Sequence, residues 1–223
     1  MIYHDLVPLR DAARILGVGA EQVRRYVHRG ILPAEKIGNV WLTDAAHVRG
    51  LRFAPPRCGR PLAPQAAWAS ILAGGIDIDD PWRHANRGEV TRWHATAGQI
   101  DNLLRHPEVI VSGVHAAQVH GALLDPAPDE AQIYVSAASN ADHIRPLAEL
   151  TSSGFGSLLV RRVDSATWPQ LHEAAAPAPD PNRLQFGSPA TRYAPPPLVA
   201  LDLAVSPHPR EQDHAEAIAR SLP

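Results

Sequence analysis

Gln22, Arg24, Arg25, His28 and Arg29 crowd into one short segment, 20–29, in which Val23, Tyr26 and Val27 recur at helical spacing. On a helix the apolar set turns inward and the polar set outward. The outward set suits one kind of chemistry. Gln and Arg match the hydrogen-bonding edges of bases, and Arg also neutralises phosphate. Lys36 and Asn39, a few residues on, flank a Gly38-Asn39 turn and could reach a nucleic-acid backbone or minor groove.

The flanking residues must position that face. Leu9, Ala12, Ala13 and Leu16 keep helical spacing, and Gly17-Val18 breaks the run. Gly30 is suited to cap the second helix, and Pro33 blocks its continuation. Residues 36–42 read as a tight hairpin turning at Gly38-Asn39. Thr43 is a plausible N-cap for a helix at 44–49. Two helices joined by a glycine-containing turn, then a hairpin, predict a winged helix-turn-helix over 6–53. The segment resembles the small winged-helix domains of the MerR and excisionase type. It departs from them at Gly19, where such domains often start the second helix with Ser or Thr. An arginine-rich face is also what a merely solvated helix presents; the agreement of helix, turn, hairpin and caps favours DNA.

Charge supports the same reading. Residues 1–64 hold ten Lys and Arg against five Asp and Glu, a net of +5; the whole chain is −2, so the remainder carries −7. A basic N-terminus on an acidic body localises attraction for DNA. The chain has 223 residues, enough for one large or two small domains. It contains no run of about 18 apolar residues and no signal-peptide pattern, so no membrane association and a cytoplasmic location are expected. A single cysteine, Cys58, excludes an internal disulfide framework.

The fold class expected is α+β: an N-terminal winged helix-turn-helix (1–53), a Pro/Gly-rich linker with a short helix (54–98), and a mixed α/β C-terminal domain (99–223). Within the linker, 54–61 is the most irregular stretch, 64–74 the helix with Trp68, Ile71 and Leu72 inward, and 75–88 a run of turns. Residues 89–104 read as helical in parts. Strands are expected at 109–111, 132–135 and 157–163, and helices at 115–120, 142–150 and 211–222, with a Pro/Ala loop at 174–181.

The order of the N-terminal segment, GRPLAPQAAWASIL, VSGVHAAQVHGALL and PPPLVALDLAVSPHPREQDHAEAIARSL resembles the AbiEi-type antitoxins of type IV toxin–antitoxin systems. The resemblance spans most of the chain on loose motifs. It implies a transcriptional autorepressor that binds its own operator as double-stranded DNA, a nucleotidyltransferase-type toxin as partner, and no enzyme activity. A homodimer is expected, because one small module reads only a half-site.

The C-terminal body also resembles a degenerate nucleotidyltransferase fold. Residues 109–121 match its strand, glycine turn and helix, and 130–135 its carboxylate-bearing strand. Glu130 falls on the first metal-ligand position but Gln132 on the second, and a neutral amide cannot replace an anionic ligand. A toxin-type nucleotidyltransferase acting on nucleic acid is the enzymatic alternative; a partner-binding protein with a vestigial DNA-binding domain is the third.

Other groups suggest less. His115 and His120 are five apart and so not stacked on one helix face; His84 and His94 lack Cys or carboxylate neighbours at zinc spacing. Asp77 to Asp80 follow Gly74-Gly75 and read as a turn. Ser112 and His115 lack a nucleophile elbow. Asp202 is expected to cap a helix or bridge to an arginine. No metal or other cofactor is expected.

Overall fold

The computed structural model describes residues 5–28, 31–53, 60–139, 144, 147, 150–177 and 190–222. Arg29, the Gly30 cap, linker residues 54–59, most of the helix expected at 142–150 and the end of the loop at 174–181 lie outside them.

The first unit runs β1 (Leu6–Pro8), α1 (Leu9–Leu16), α2 (Ala20–His28), β2 (Ala34–Ile37), β3 (Val40–Asp44) and α3 (Ala45–Phe53). Leu9, Ala12 and Ala13 are the buried positions of α1, as their spacing predicts. Gly17 ends the helix at φ 68°, and its N–H and that of Val18 close on the carbonyls of Arg14 and Ala13. A side chain there would be strained, so glycine sets the turn between the helices. Val23 and Tyr26 then meet Leu9, Ile31, Leu32, Val48 and Leu51 in a small apolar core, with Val27 at its edge.

β2 and β3 form the hairpin, Ile37 opposite Val40 and Lys36 opposite Trp41. β1 adds to the other edge of β3, giving the order β1-β3-β2. Thr43 does not cap α3. Its hydroxyl is fully buried and donates to the Pro33 carbonyl at 2.6 Å, and the cap is Asp44, whose Oδ1 accepts from the Ala46 N–H at 2.7 Å. The bond to Pro33 holds the Thr43 hydroxyl and leaves the next residue to reach the helix start.

The body follows: α4 (Pro64–Leu72), a 3-10 turn (Pro81–His84), β4 (Glu89–His94), α5 (Ala97–Leu104), β5 (Ile110–Ser112), α6 (Gly113–Val119), β6 (Ala131–Ser136), β7 (Thr151–Ser152), β8 (Leu158–Val163), α7 (Trp168–Ala174), β9 (Ala176–Pro177), β10 (Arg192–Tyr193), α8 (Pro196–Ala204) and α9 (Pro209–Arg220). Its seven strands are ordered β7-β4-β8-β6-β5-β10-β9. β6–β8 and β5–β10 are parallel and the other neighbours antiparallel, so the sheet is mixed and the α+β class holds.

Residues 89–104 divide into a strand and a helix. β4 lies between β7 and β8, so the stretch 54–98 expected as a linker supplies an interior strand and a helix to the body. α5 starts at a Thr96–Gln99 capping box, in which each side chain accepts from the other residue's backbone N–H. α8 is buried nearly all round, from Leu198 to Ala204, and joins Trp68, Ile71, Ile133, Val160 and Ile218 in one continuous core. Each such fully buried aliphatic side chain contributes about 1.5–3 kcal/mol.

The two units pack closely. The Ser153 hydroxyl donates to Glu35 Oε2 at 2.7 Å, and Trp82 of the body packs on the first unit's core. A Cβ on Gly50 would lie 2.5 Å from the Pro207 Cα, and one on Gly154 would collide with the Ala34 carbonyl. Gly154→Ala should therefore lower stability by about 1–3 kcal/mol in denaturant titration. Gly98→Ala, in helix α5 with open space around it, should raise stability by about 0.5–1 kcal/mol. An unchanged midpoint for Gly154→Ala would refute close packing of hairpin and body.

Candidate functional site

Two places gather side chains that could do chemistry. The first is the outer face of α2. Arg24, Arg25 and His28 are exposed and Gln22 is half-buried. At 3.6 residues per turn Gln22 and Arg25 share one strip, while Glu21, Arg24 and His28 share the next. Arg24 leans on Glu21, Nη1 to Oε2 3.4 Å, a solvent-exposed pair with little hold on the side chain. Lys36 and Asn39 are exposed at the hairpin tip beside Ile37, Val40 and Trp41, which leave 52%, 48% and 38% of their surfaces open.

The second place lies inside. A cavity of about 600 Å³ opens between the first unit and the sheet of the body. Its floor, Gln132 of β6, Leu159 and Arg161 of β8, and Val90 and Arg92 of β4, follows from strand register. Ser112, Gln132, Leu159 and Arg92 are opposite one another in turn across β5, β6, β8 and β4. The next row on the same face is Ile110, Tyr134, Arg161 and Val90. Period-2 alternation thus brings Ser112, Gln132, Tyr134, Arg161 and Arg92 to one face, while Val111, Ile133 and Val160 take the other. Asp44 and His47 stand in the opposite wall, and Glu130, Asp125 and Glu211 are also in the lining.

Beside the floor is a buried ion pair. Arg87 Nη2 donates to Asp202 Oδ1 at 2.6 Å, with side chains 2% and 0% exposed. Arg87 Nε donates to the Tyr134 hydroxyl at 3.3 Å, and that hydroxyl reaches both Asp202 oxygens at 2.9 and 3.0 Å. The Ser112 hydroxyl donates to Asp202 Oδ2 at 2.6 Å, and Arg87 Nη1 to the His84 carbonyl at 3.0 Å. Burial alone would lower the Arg87 pKa; Tyr134 and Asp202 reverse this and hold it above its usual value. Burial, then Asp202, pushes the Tyr134 hydroxyl up to about 12. The bridge expected of Asp202 is made, and the partner is Arg87.

Arg92 and Arg161 differ. Arg92 makes one long bond, Nη1 to the Gly156 carbonyl at 3.5 Å, and Arg161 one to the Gly88 carbonyl at 3.3 Å. The Arg161 Nε has no hydrogen-bond partner, and its guanidinium carbon lies 5.9 Å from the centre of the Tyr134 ring. Burial lowers the pKa of both, that of Arg92 to about 10, where Glu130 opposes the shift and Arg161 adds to it.

The Ser112 hydroxyl is committed to Asp202 rather than to His115. Gly113 takes φ 60° at the start of α6, close against Gln132, where a Cβ would come within 3.3 Å of the Gln132 Cβ. Glu130 is exposed and Gln132 half-buried, both in the cavity lining. Asp77 Oδ1 accepts from the N–H groups of Asp79 and Asp80, a turn as expected. His84 is buried at 3.3 Å from the Ser70 hydroxyl, and His120 lies 3.0 Å from the Ala194 carbonyl. Among the described residues no three His, Cys, Asp or Glu side chains converge as a metal site, and no helix is long and apolar enough to cross a membrane. The sequence reading missed Arg87, Arg92 and Arg161; the alternation of Gln132 with Ile133 and of Arg161 with Val160 is the pattern that could have found the floor. No protein-family model, curated protein or solved structure matches the chain.

Asp202→Ala would strand Arg87 in the interior and should destabilise by about 3–5 kcal/mol, read from urea denaturation; a loss under about 1 kcal/mol would refute a supporting role. Burial also holds His115 down to about 4 from its ordinary 6.5. Its folded pKa lies below its unfolded one, so stability is full above about pH 6.5 and declines as pH falls toward 4, by on the order of 3 kcal/mol. His115→Gln should flatten that part of the stability–pH curve, and an unchanged curve would refute the assignment.

Proposed function

We propose that the chain is a sequence-specific DNA-binding transcriptional regulator and, within that class, an antitoxin-like autorepressor of a type IV toxin–antitoxin operon. The observation that carries the reading is the exposed face of α2. Arg24, Arg25 and His28 project from a helix whose inner face is fixed in a core, and the helix is preceded by a glycine turn and followed by a β-hairpin. In the winged helix-turn-helix reading α2 enters the major groove. Gln22, Arg24 and Arg25 contact bases, and His28, Arg29, Lys36 and Asn39 contact the backbone or minor groove. Binding as a homodimer would place two such helices on an inverted repeat. The acidic body would hold the second copy, or a nucleotidyltransferase-type toxin.

One observation favours a second reading, a nucleotidyltransferase-like enzyme. Ser112-Gly113 joins β5 to α6 beside a β6 that carries Gln132 with Glu130 before it, and Gly113, Glu130 and Gln132 line one cavity. The charges favour the first reading. Gln132 replaces a metal-binding carboxylate, and Arg92 and Arg161 would repel divalent cations at that floor.

Arg24→Ala with Arg25→Ala should weaken binding to the chain's own upstream DNA by about 2–6 kcal/mol, at about 1–3 per base contact. Gel shifts at two salt concentrations against a scrambled duplex measure this, and selective binding should fall as salt rises through counterion release. Unaltered operator affinity in the double variant would sink the assignment.

A further inference from the structure

Arg161 is 7% exposed, lines the cavity, and directs an Nε–H toward no acceptor. Arg92 is half-buried on the same sheet face, diagonal to it across β4 and β8. Among the described residues neither has a carboxylate within ion-pair distance, although Arg87, a strand away, has its counter-charge in Asp202. Glu130 acts on Arg92 and Asp202 on Arg161 only from beyond ion-pair distance, and a buried and a half-buried guanidinium held together without a paired anion is a costly arrangement. The cavity beside them, about 600 Å³, falls in the range of small-molecule sites. Gln132, also in the floor, offers an amide to a polar ligand.

We propose that this cavity binds a small organic oxyanion, a carboxylate or a phosphate ester, held between the guanidiniums of Arg161 and Arg92. Fork-shaped guanidinium groups match either oxyanion, and charge-assisted bonds are strongest where water is excluded. Asp125, Glu130 and Glu211 elsewhere in the lining set the polarity. The oxyanion goes to the arginine end, and a second polar or cationic group of the ligand would face the carboxylates. Because Asp44 and His47 of the first unit stand across from the floor, a bound molecule would touch both units at once.

Calorimetric titration of the full chain with inorganic phosphate and, separately, with glutarate, in chloride at constant ionic strength, tests this. Saturable one-to-one binding of either anion is expected, the tighter of the two identifying the ligand class. Arg161→Met should weaken it by about tenfold or more, the loss of one charge-assisted bond. It should do so without lowering the melting temperature of the anion-free protein, since it removes a buried charge that has no carboxylate partner. Arg92→Met is the second variant and should weaken the anion likewise. The Arg24→Ala, Arg25→Ala chain should bind the anion undiminished whether or not it binds DNA. Absence of saturable binding, binding unaffected by both methionine variants, or binding lost in the α2 variant instead would overturn the proposal.

Discussion

The buried pair of Arg87 and Asp202, 115 residues apart in sequence, is the contact on which the body's arrangement rests. Neither charge could stay in the interior alone. Together they are tolerated because every strong group finds a partner. Asp202 takes Arg87, Tyr134 and Ser112, and the Tyr134 hydroxyl accepts from Arg87 while donating to Asp202. The segment before β4, strands β5 and β6, and helix α8 therefore have one mutual geometry that satisfies all four side chains. An apolar replacement could pack equally well, but it would not specify that geometry. Specificity of this kind matters most where a cavity has to stay open beside a core, because no packing contact defines an empty space.

The sheet's two faces extend that logic. Val111, Ile133 and Val160 fall on one face, while Gln132, Tyr134, Arg161 and Arg92 bring polar groups to the other. A polar face turned toward solvent would be unremarked. Here it is roofed by the first unit, whose hairpin and third helix are held against the body by Glu35 on Ser153 and by close approaches at Gly154 and Gly50. Roofing a polar face desolvates its arginines, which is why both Arg92 and Arg161 are harder to keep charged than a surface arginine.

Much of this was legible in the sequence where the determinants are local. The spacing of Leu9, Ala12 and Ala13, the stop at Gly17, the Gly38-Asn39 turn and the strands about Val111, Ile133 and Val160 depend on a few neighbouring residues, and each element was placed within a residue or two. β4 was not legible, because Glu89, Arg92 and His94 carry no apolar alternation; the strand exists because β7 and β8 flank it. β1, with three residues, is too short to have a period. Thr43 and Asp44 are both good caps, and only the inward turn of Thr43 decided between them. The cavity was hidden for a different reason. Its floor comes from three strands, and no single stretch holds more than one of its polar residues.

Charge links the two candidate sites. Net positive charge gathers in residues 1–64 and net negative charge in the rest, yet the body buries Arg87 and Arg161 and half-buries Arg92. Arginines withdrawn from the surface leave the body's exterior still more acidic, which would discourage DNA from lying along it and favour contact through the first unit alone. The same withdrawal sets Arg92 and Arg161 along one part of a cavity that the two units share, with Asp125, Glu130 and Glu211 along another part. A cavity of about 600 Å³ would admit a small anion to those guanidiniums while excluding a polyanion on size. By this argument the body's internal arginines and the exposed arginines of α2 serve different ligands, although their chemistry is the same.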